Sequence, residues 1–453
     1  METQSISKIL PELYLHYGQY VNSNKMLPNA IDGLIPVWRR VLLGTHTMAR
    51  NKFVKSASIL GVVMEKWHPH DHAYGPLQKL VQNGFVDGQG QWGGRIGVDE
   101  SGAAAMRYTE AKSNALTEEM AFKYIKHTPW ETLEVEPEPV FLPTMIPFCL
   151  FTRYGFTSIA FGFKSVIPNY KLKSLVQRLL YLEGELKRKP SIVPNIEGCD
   201  IVSNKKEIEK VLTISNHNID IRGIYKEDPD NFKIYVRGWD PNLGFETIFK
   251  KIDKAGIISN GDVIMLDESS DETPAYDGWK GTNISFEVNK ARNRPKFYAM
   301  LKKQIVAALT SRISYMIHVV DPLTKQIQTP CVDDMLKKTF IVYKNIVKRF
   351  LQESIEDTKT SIRELIVISK IKDHLGKALA LNDEKKIIDE VHKKSGVDKE
   401  SIQNVVDKYK IRKLLTVKTD NKNLKVKLEE YKANLKNLNV FVINQYKELY
   451  KKL

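Results

Sequence analysis

Apolar residues in this chain repeat with different periods in different regions. Near the start, Ile9, Leu10, Leu13, Tyr14 and Tyr17 fall three and four apart, which places them on one helical face. Pro36 opens a second helical stretch, with Val37, Val41, Leu42 and Thr45 at helical spacing, because the fixed φ of proline suits a first turn. From about Val140 to Pro330 the texture is mixed α and β. Runs such as Phe232-Lys233-Ile234-Tyr235-Val236 read as strands, broken by Pro, Asp, Asn and Gly turns. After Pro330 there is no proline, and the only glycines are Gly376 and Gly396. Here Leu336, Phe340, Tyr343, Val347 and Phe350 alternate by four and three, as do Leu424, Leu428, Tyr431, Leu435 and Leu438. The first set predicts one long helix from Cys331 to Leu375. Both sets, separated by a smaller helical knot, predict an antiparallel coiled coil.

Composition narrows the class. A chain of 453 residues exceeds one ordinary core and predicts roughly two to four domains. Apolar residues at 42% and charged residues at 27% fit a soluble folded protein. No uncharged apolar run approaches the roughly 18 residues of a membrane span, and Met1-Glu2-Thr3-Gln4-Ser5 lacks the layout of a secretory signal. Cys149, Cys199 and Cys331 are far apart, which fits a reducing cytosol and gives neither a disulfide framework nor a CxxC knuckle. The net charge of +15, from 69 basic and 54 acidic residues, points to a polyanionic partner; general solubility is the blander explanation.

Four blocks then stand in order: Asp32-Gly33-Leu34-Ile35-Pro36-Val37-Trp38-Arg39-Arg40, His68-Pro69-His70, Val86-Asp87-Gly88-Gln89-Gly90-Gln91-Trp92-Gly93-Gly94, and Ala103-Ala104-Ala105-Met106-Arg107-Tyr108-Thr109-Glu110. Pro69 disfavours helix at His68, so the two imidazoles can be aimed at one phosphate, or can bind zinc together with His72. The glycine-dense stretch from Gly84 to Gly97 reads as a loop able to approach a phosphate backbone or to turn sharply. A tyrosine phenol can form a phosphotyrosyl ester that stores the energy of a cut phosphodiester. Phenols are mostly protonated at neutral pH, so a neighbouring cation such as Arg107, able to fork onto two phosphate oxygens, helps.

Collinear and so spaced, the blocks resemble the breakage-reunion subunit of type IIA DNA topoisomerases, whose equivalents read DGLKPVHRR, HPHGD, DGQGNFG and AAAMRYTE. The resemblance is to the short form found in T-even-like bacteriophages. It implies a multidomain α+β fold. An N-terminal arm over residues 1–30 would contact the partner subunit. Residues 31–140 would form a winged-helix cleavage domain and 141–330 a mixed α/β tower domain. A coiled coil with a small helical dimerisation domain would follow over 331–453. The resemblance further implies that Tyr108 is the nucleophile joined to a 5′ phosphate and that Arg107 stabilises the transferring phosphoryl group. Arg40, His68 and His70 would complete the cleavage centre, with Arg39 and Lys25 on DNA.

Further on, Leu142-Pro143-Thr144-Met145-Ile146-Pro147, Ser158-Ile159-Ala160-Phe161-Gly162 and Ile167-Pro168 resemble LPTRIP, GIAVG and IPP. This makes Ile159 a wedge between base pairs; the alternative is a buried strand residue. Ile35 and Trp38 replace a lysine and a histidine of relatives, so phosphate is gripped differently. The stretch after His70 is shortened, and the serine and acidic residue tied to quinolone binding are not recognisable; His72 reads as structural.

No GxxxxGK[ST] loop and no acidic Toprim block occur. The resemblance therefore implies that Mg²⁺ and ATP are held by a large ATPase/Toprim partner subunit, in a hetero-oligomer containing two copies of this chain. The expected activity is supercoil relaxation and decatenation of double-stranded DNA in the cytoplasm of an infected bacterial host. The chain stops soon after the second heptad stretch, so a β-rich wrapping domain and negative supercoiling are not expected. A non-catalytic coiled-coil DNA clamp and a histidine-cluster metallohydrolase are the alternative functions.

Overall fold

The computed structural model describes residues 6–70, 73–381 and 383–453. The chain is mixed α and β, with antiparallel sheets among many helices. It divides into two compact units: Met1–Tyr343 with Tyr446–Leu453, and Lys344–Gln445.

In the first unit, Pro36 is the first residue of the helix Pro36–Met48, as its spacing predicts. The face with Val41, Leu42 and Leu43 packs against Ile59, Leu60 and Val63 of the helix Ser56–Lys66 and against Leu77 and Leu80 of Tyr74–Gln82. The two longer helices cross closely because Gly44 has no side chain: a Cβ there would lie 2.3 Å from Val63 Cγ2. Beside them lies a three-stranded antiparallel sheet, ordered Val54–Lys55, Glu110–Ser113, Val86–Gln89.

The glycine-dense stretch is more regular than a loop. It contains the strand Val86–Gln89 and a small hairpin pairing Gly94–Ile96 with Asp99–Ser101. Its glycines turn the chain between these strands rather than leaving it irregular: Gly90, Gly93 and Gly97 all have positive φ.

Residues after Ala115 build two larger antiparallel sheets. One runs Cys199–Ile201, Asn216–Gly223, Thr310–Met316, Phe163–Ile167, Phe156–Ala160. The other runs Tyr225–Asp228, Lys233–Val236, Ile284–Val288, Val263–Asp267 and shares a core with the helices Phe245–Ile252 and Arg294–Leu309. The strand expected from Phe232 starts instead at Lys233. Phe232 closes the preceding turn at φ 53°, its N–H donating to the Pro229 carbonyl at 3.2 Å.

The long helix expected from Cys331 spans Val332–Ala378 and contributes to both units. In the first unit, Phe340 and Tyr343 enclose the ring of Tyr446, whose hydroxyl donates to the Met145 carbonyl at 2.8 Å. In the second, Ile368, Ile371 and Leu375 share a core with the short helices Glu384–Ser395, Lys399–Tyr409 and Ile411–Leu414. Lys344 reaches Asn439, and Phe350 meets Tyr431 edge-on, so these chain segments run antiparallel. Leu424, Leu428, Tyr431, Leu435 and Leu438 are all half-buried, as a narrow seam requires. Among the described residues, no helix is long and apolar enough to cross a membrane.

Candidate active site

Tyr108 sits on a turn that leads into the strand Glu110–Ser113, its N–H donating to the Ala105 carbonyl at 2.8 Å. The ring is 64% exposed, with the Arg107 guanidinium 4.6 Å from its centroid. Rigidity comes from its neighbours. Thr109 is fully buried, and its hydroxyl bonds to Ser56 Oγ at 2.8 Å and to the Tyr74 hydroxyl at 3.0 Å. Tyr74 also donates to the Ala104 carbonyl at 2.5 Å, so one phenol ties both ends of the turn. From the other side Gly90, at φ 101°, passes so near that a Cβ would lie 3.2 Å from the Tyr108 carbonyl oxygen.

The second cluster is built on ion pairs. The helix Ser56–Lys66 ends at Trp67, whose indole donates to the Pro137 carbonyl at 3.0 Å, and the Glu136 amide donates to the Lys66 carbonyl. These bonds dock the short strand Pro137–Pro139 so that Glu138 faces the helix Pro36–Met48. Glu138, 2% exposed, accepts from Arg40 Nη2 at 2.7 Å and from Nε at 2.8 Å. The remaining Arg40 nitrogen, Nη1, lies 3.2 Å from His68 Nδ1.

Arginine only donates, so His68 Nδ1 accepts and its proton sits on Nε2. Half-burial, then the Arg40 charge, lower the His68 pKa to about 4, with His70 and Lys25 acting in the same direction and Glu134 opposing them. At neutral pH His68 is therefore a neutral imidazole with Nε2–H free to donate. In this arrangement Nδ1 is occupied by Arg40, and Nε2–H is the group His68 can offer to a phosphate oxygen. The exposed His70 ring is edge-on to it at 5.2 Å.

Arg39, expected on DNA, is turned inward. Its Nε donates to Asp32 Oδ2 at 2.7 Å, and Asp32, fully buried, also accepts from the amides of Leu34 and Leu142. Arg39 thus clamps the entry to its helix and is almost wholly buried. Lys25 is exposed on the π-helical turn Asn22–Met26. Ile159 lies on the strand Phe156–Ala160, opposite Lys164, and is 73% exposed; a buried strand residue it is not.

The structure therefore brings together Arg40, Glu138, His68 and His70. Among the described residues no hydrogen bond joins the Tyr108 phenol to that cluster. Glu138, Thr109, Ser56 and Tyr74 were missed by sequence reasoning. Thr109 carried a signal as part of the Ala103–Glu110 block, and Tyr74 by standing shortly after His68-Pro69-His70. Among the described residues no three His, Cys, Asp or Glu side chains are grouped to hold a metal ion, and His72 lies outside them. Nor does Glu138 fit a magnesium ion, since both its oxygens are taken by Arg40.

A mixed α/β chain with an exposed Arg–Tyr turn and a buried Arg–Glu–His cluster is the class that fold and site define. It belongs to the DNA gyrase/topoisomerase IV A-subunit family, whose match covers residues 25–452 and so takes in every motif above. Among curated relatives it is 30% identical over 295 residues to the DNA gyrase A-subunit of Brachyspira hyodysenteriae, covering 59% of this chain and 34% of that protein. It is 35% identical over 232 residues to that of Campylobacter fetus, covering 46% and 26%. To that of Thermotoga maritima it is 30% identical over 339 residues, covering 69% and 40%. The matched part of the chain thus spans between 26% and 40% of the length of these relatives.

Proposed function

We propose that this chain is the DNA-cleaving and rejoining subunit of an ATP-dependent type II topoisomerase, of the bacteriophage type and acting in the host cytoplasm. The Tyr108 oxygen attacks a backbone phosphorus, the bond from phosphorus to the 3′ oxygen breaks, and that oxygen leaves as a hydroxyl carrying the proton lost by the phenol. Resealing is the reverse, so the covalent 5′-phosphotyrosyl bond conserves the energy of the cut. Arg107 offers two donors to the phosphoryl oxygens, and His68 Nε2–H, with His70, offers more. Two copies of the chain would cut opposite strands, so that another duplex passes and supercoils relax or circles decatenate. Mg²⁺ and ATP belong to an ATPase/Toprim partner subunit in this reading, and no step of this chain's own residues runs through either. Residues 31–140 then act as the winged-helix cleavage domain, 141–330 as the tower and 331–453 as coiled coil and gate, with the arm over 1–30 facing the partner.

The observation that carries the proposal is the exposed Tyr108 on its pinned turn beside Arg107, in a chain of this family. The test is Tyr108→Phe, which removes only the nucleophilic oxygen. With the partner subunit, Mg²⁺ and ATP, relaxation and strand cleavage should fall by about 10⁴-fold or more, as for other lost nucleophiles, while duplex binding and melting temperature hold. A phenylalanine variant that still relaxes plasmid would overturn it.

A further inference from the structure

The hairpin that carries Ile159 is gripped from one side by the π-helical turn Asn22–Met26 and the helix Ile6–Val21 before it. Asn22, buried at the start of the π-helical turn Asn22–Met26, spends both ends of its amide on one residue. Its Nδ2 donates to the Phe161 carbonyl at 2.9 Å, and the Phe161 N–H donates to its Oδ1 at 2.8 Å. Ser158 Oγ donates to the Met26 carbonyl at the other end of the same turn. Ile159 therefore projects from between two tethered residues, Ser158 and Phe161. The Phe161 ring is edge-on to Tyr14 and Tyr17 of the helix Ile6–Val21, at 6.1 and 6.0 Å.

Inserting a side chain into stacked bases works against an unstacking cost, and a wedge on a free two-stranded tip would yield instead of the DNA. A π-helical turn inside helical structure often marks a functional site. This one widens the chain where it meets the hairpin and also presents the exposed Lys25.

We propose that Asn22 is a positioning residue for DNA bending: its two hydrogen bonds to Phe161 fix the hairpin tip so that Ile159 acts as a rigid wedge, with Lys25 on the same turn serving the adjoining phosphate. This rests on the reading of Ile159 as a wedge. It also makes the N-terminal helix a mechanical support of the bend, through Tyr14 and Tyr17.

The test compares the full chain with its Asn22→Ala and Ile159→Ala variants on a duplex labelled at both ends, reading affinity by anisotropy and bending by fluorescence transfer. Loss of two neutral hydrogen bonds should shift the bent-to-straight ratio of Asn22→Ala roughly 5- to 10-fold toward straight DNA, with duplex affinity kept within about twofold. Ile159→Ala should lose bending at least as fully. If Asn22→Ala bends DNA like the parent while Ile159→Ala does not, the tether is wrong and the wedge stands. If Ile159→Ala itself bends normally, the wedge reading fails and the tether with it. Should Asn22→Ala not fold, Ser158→Ala removes the second tether from a half-buried side chain, and its normal bending would count equally against the proposal.

Discussion

The two halves of the candidate centre are built on opposite principles. The Tyr108 turn presents its reactive group to solvent and is stiffened from below by neutral hydrogen bonds from Tyr74 and Ser56. The Arg40 cluster hides its charges: Arg40 and Glu138 are both nearly inaccessible, and only His68 and His70 lead outward. On the proposed reading, a nucleophile that bonds covalently to DNA can be exposed, provided the backbone that carries it is held in place. A cation that only has to set the state of a neighbouring imidazole is better buried, where water screens it less. The two regions should therefore respond to mutation in opposite ways.

The largest stability effect is expected at the buried pair. Glu138→Ala leaves the Arg40 charge uncompensated inside the protein and should destabilise the first unit by about 3–5 kcal/mol, read as a lower midpoint in urea. Tyr108→Phe should stay within about 0.5 kcal/mol of the parent in the same assay, as exposed positions do. A Glu138→Ala protein as stable as the parent would erase the contrast.

Tyr74→Phe probes the neutral scaffold. It keeps the ring but removes the hydroxyl that holds Ala104 and Thr109, so a loss of about 1–2 kcal/mol is expected. DNA cleavage should slow by roughly tenfold, because the nucleophile is then less well oriented. Unchanged cleavage would mean that the turn keeps its shape without Tyr74.

The smallest effect is on pH dependence. His68 in the folded chain is depressed to about 4 from an ordinary 6.5, so between these values the unfolded chain binds the proton more readily. Nothing is contributed above pH 6.5, where both states are neutral, and stability is lost as pH falls from 6.5 toward 4. Because His68 is half-exposed, the loss is about 1 kcal/mol after allowing for solvent screening. His68→Gln should flatten the difference in melting temperature between pH 7 and pH 4.5. Equal slopes in parent and variant would show that the imidazole titrates normally.

Much of the scaffold was legible because it depends on local rules. Pro36 began its helix, the proline-free tail formed a helix of 47 residues, and the heptad positions from Leu424 to Leu438 are all half-buried. Long-range partners were not legible. Glu138 lies 98 residues from Arg40 in a Pro-rich stretch with no periodicity, so nothing local assigns it to that charge. The Arg39-Arg40 pair looks like a basic patch in sequence, yet Asp32 and Glu138 draw both side chains inward. Ile159 falls on the strand face opposite Phe156: Phe156 is buried and Ser158 and Ala160 are half-buried, whereas Thr157 and Ile159 are exposed, a split that the apolar character of Ile159 does not announce.

The central claim is that Tyr108 carries the cut DNA. A reaction of this chain with its partner subunit, Mg²⁺ and duplex DNA, stopped with detergent, digested with nuclease and trypsin and analysed by mass spectrometry, tests it directly. A residual 5′-nucleotide is expected on the peptide from Tyr108 to Lys112, absent from the Tyr108→Phe protein. A nucleotide on any other residue, or no adduct from an enzyme that relaxes plasmid, would contradict it.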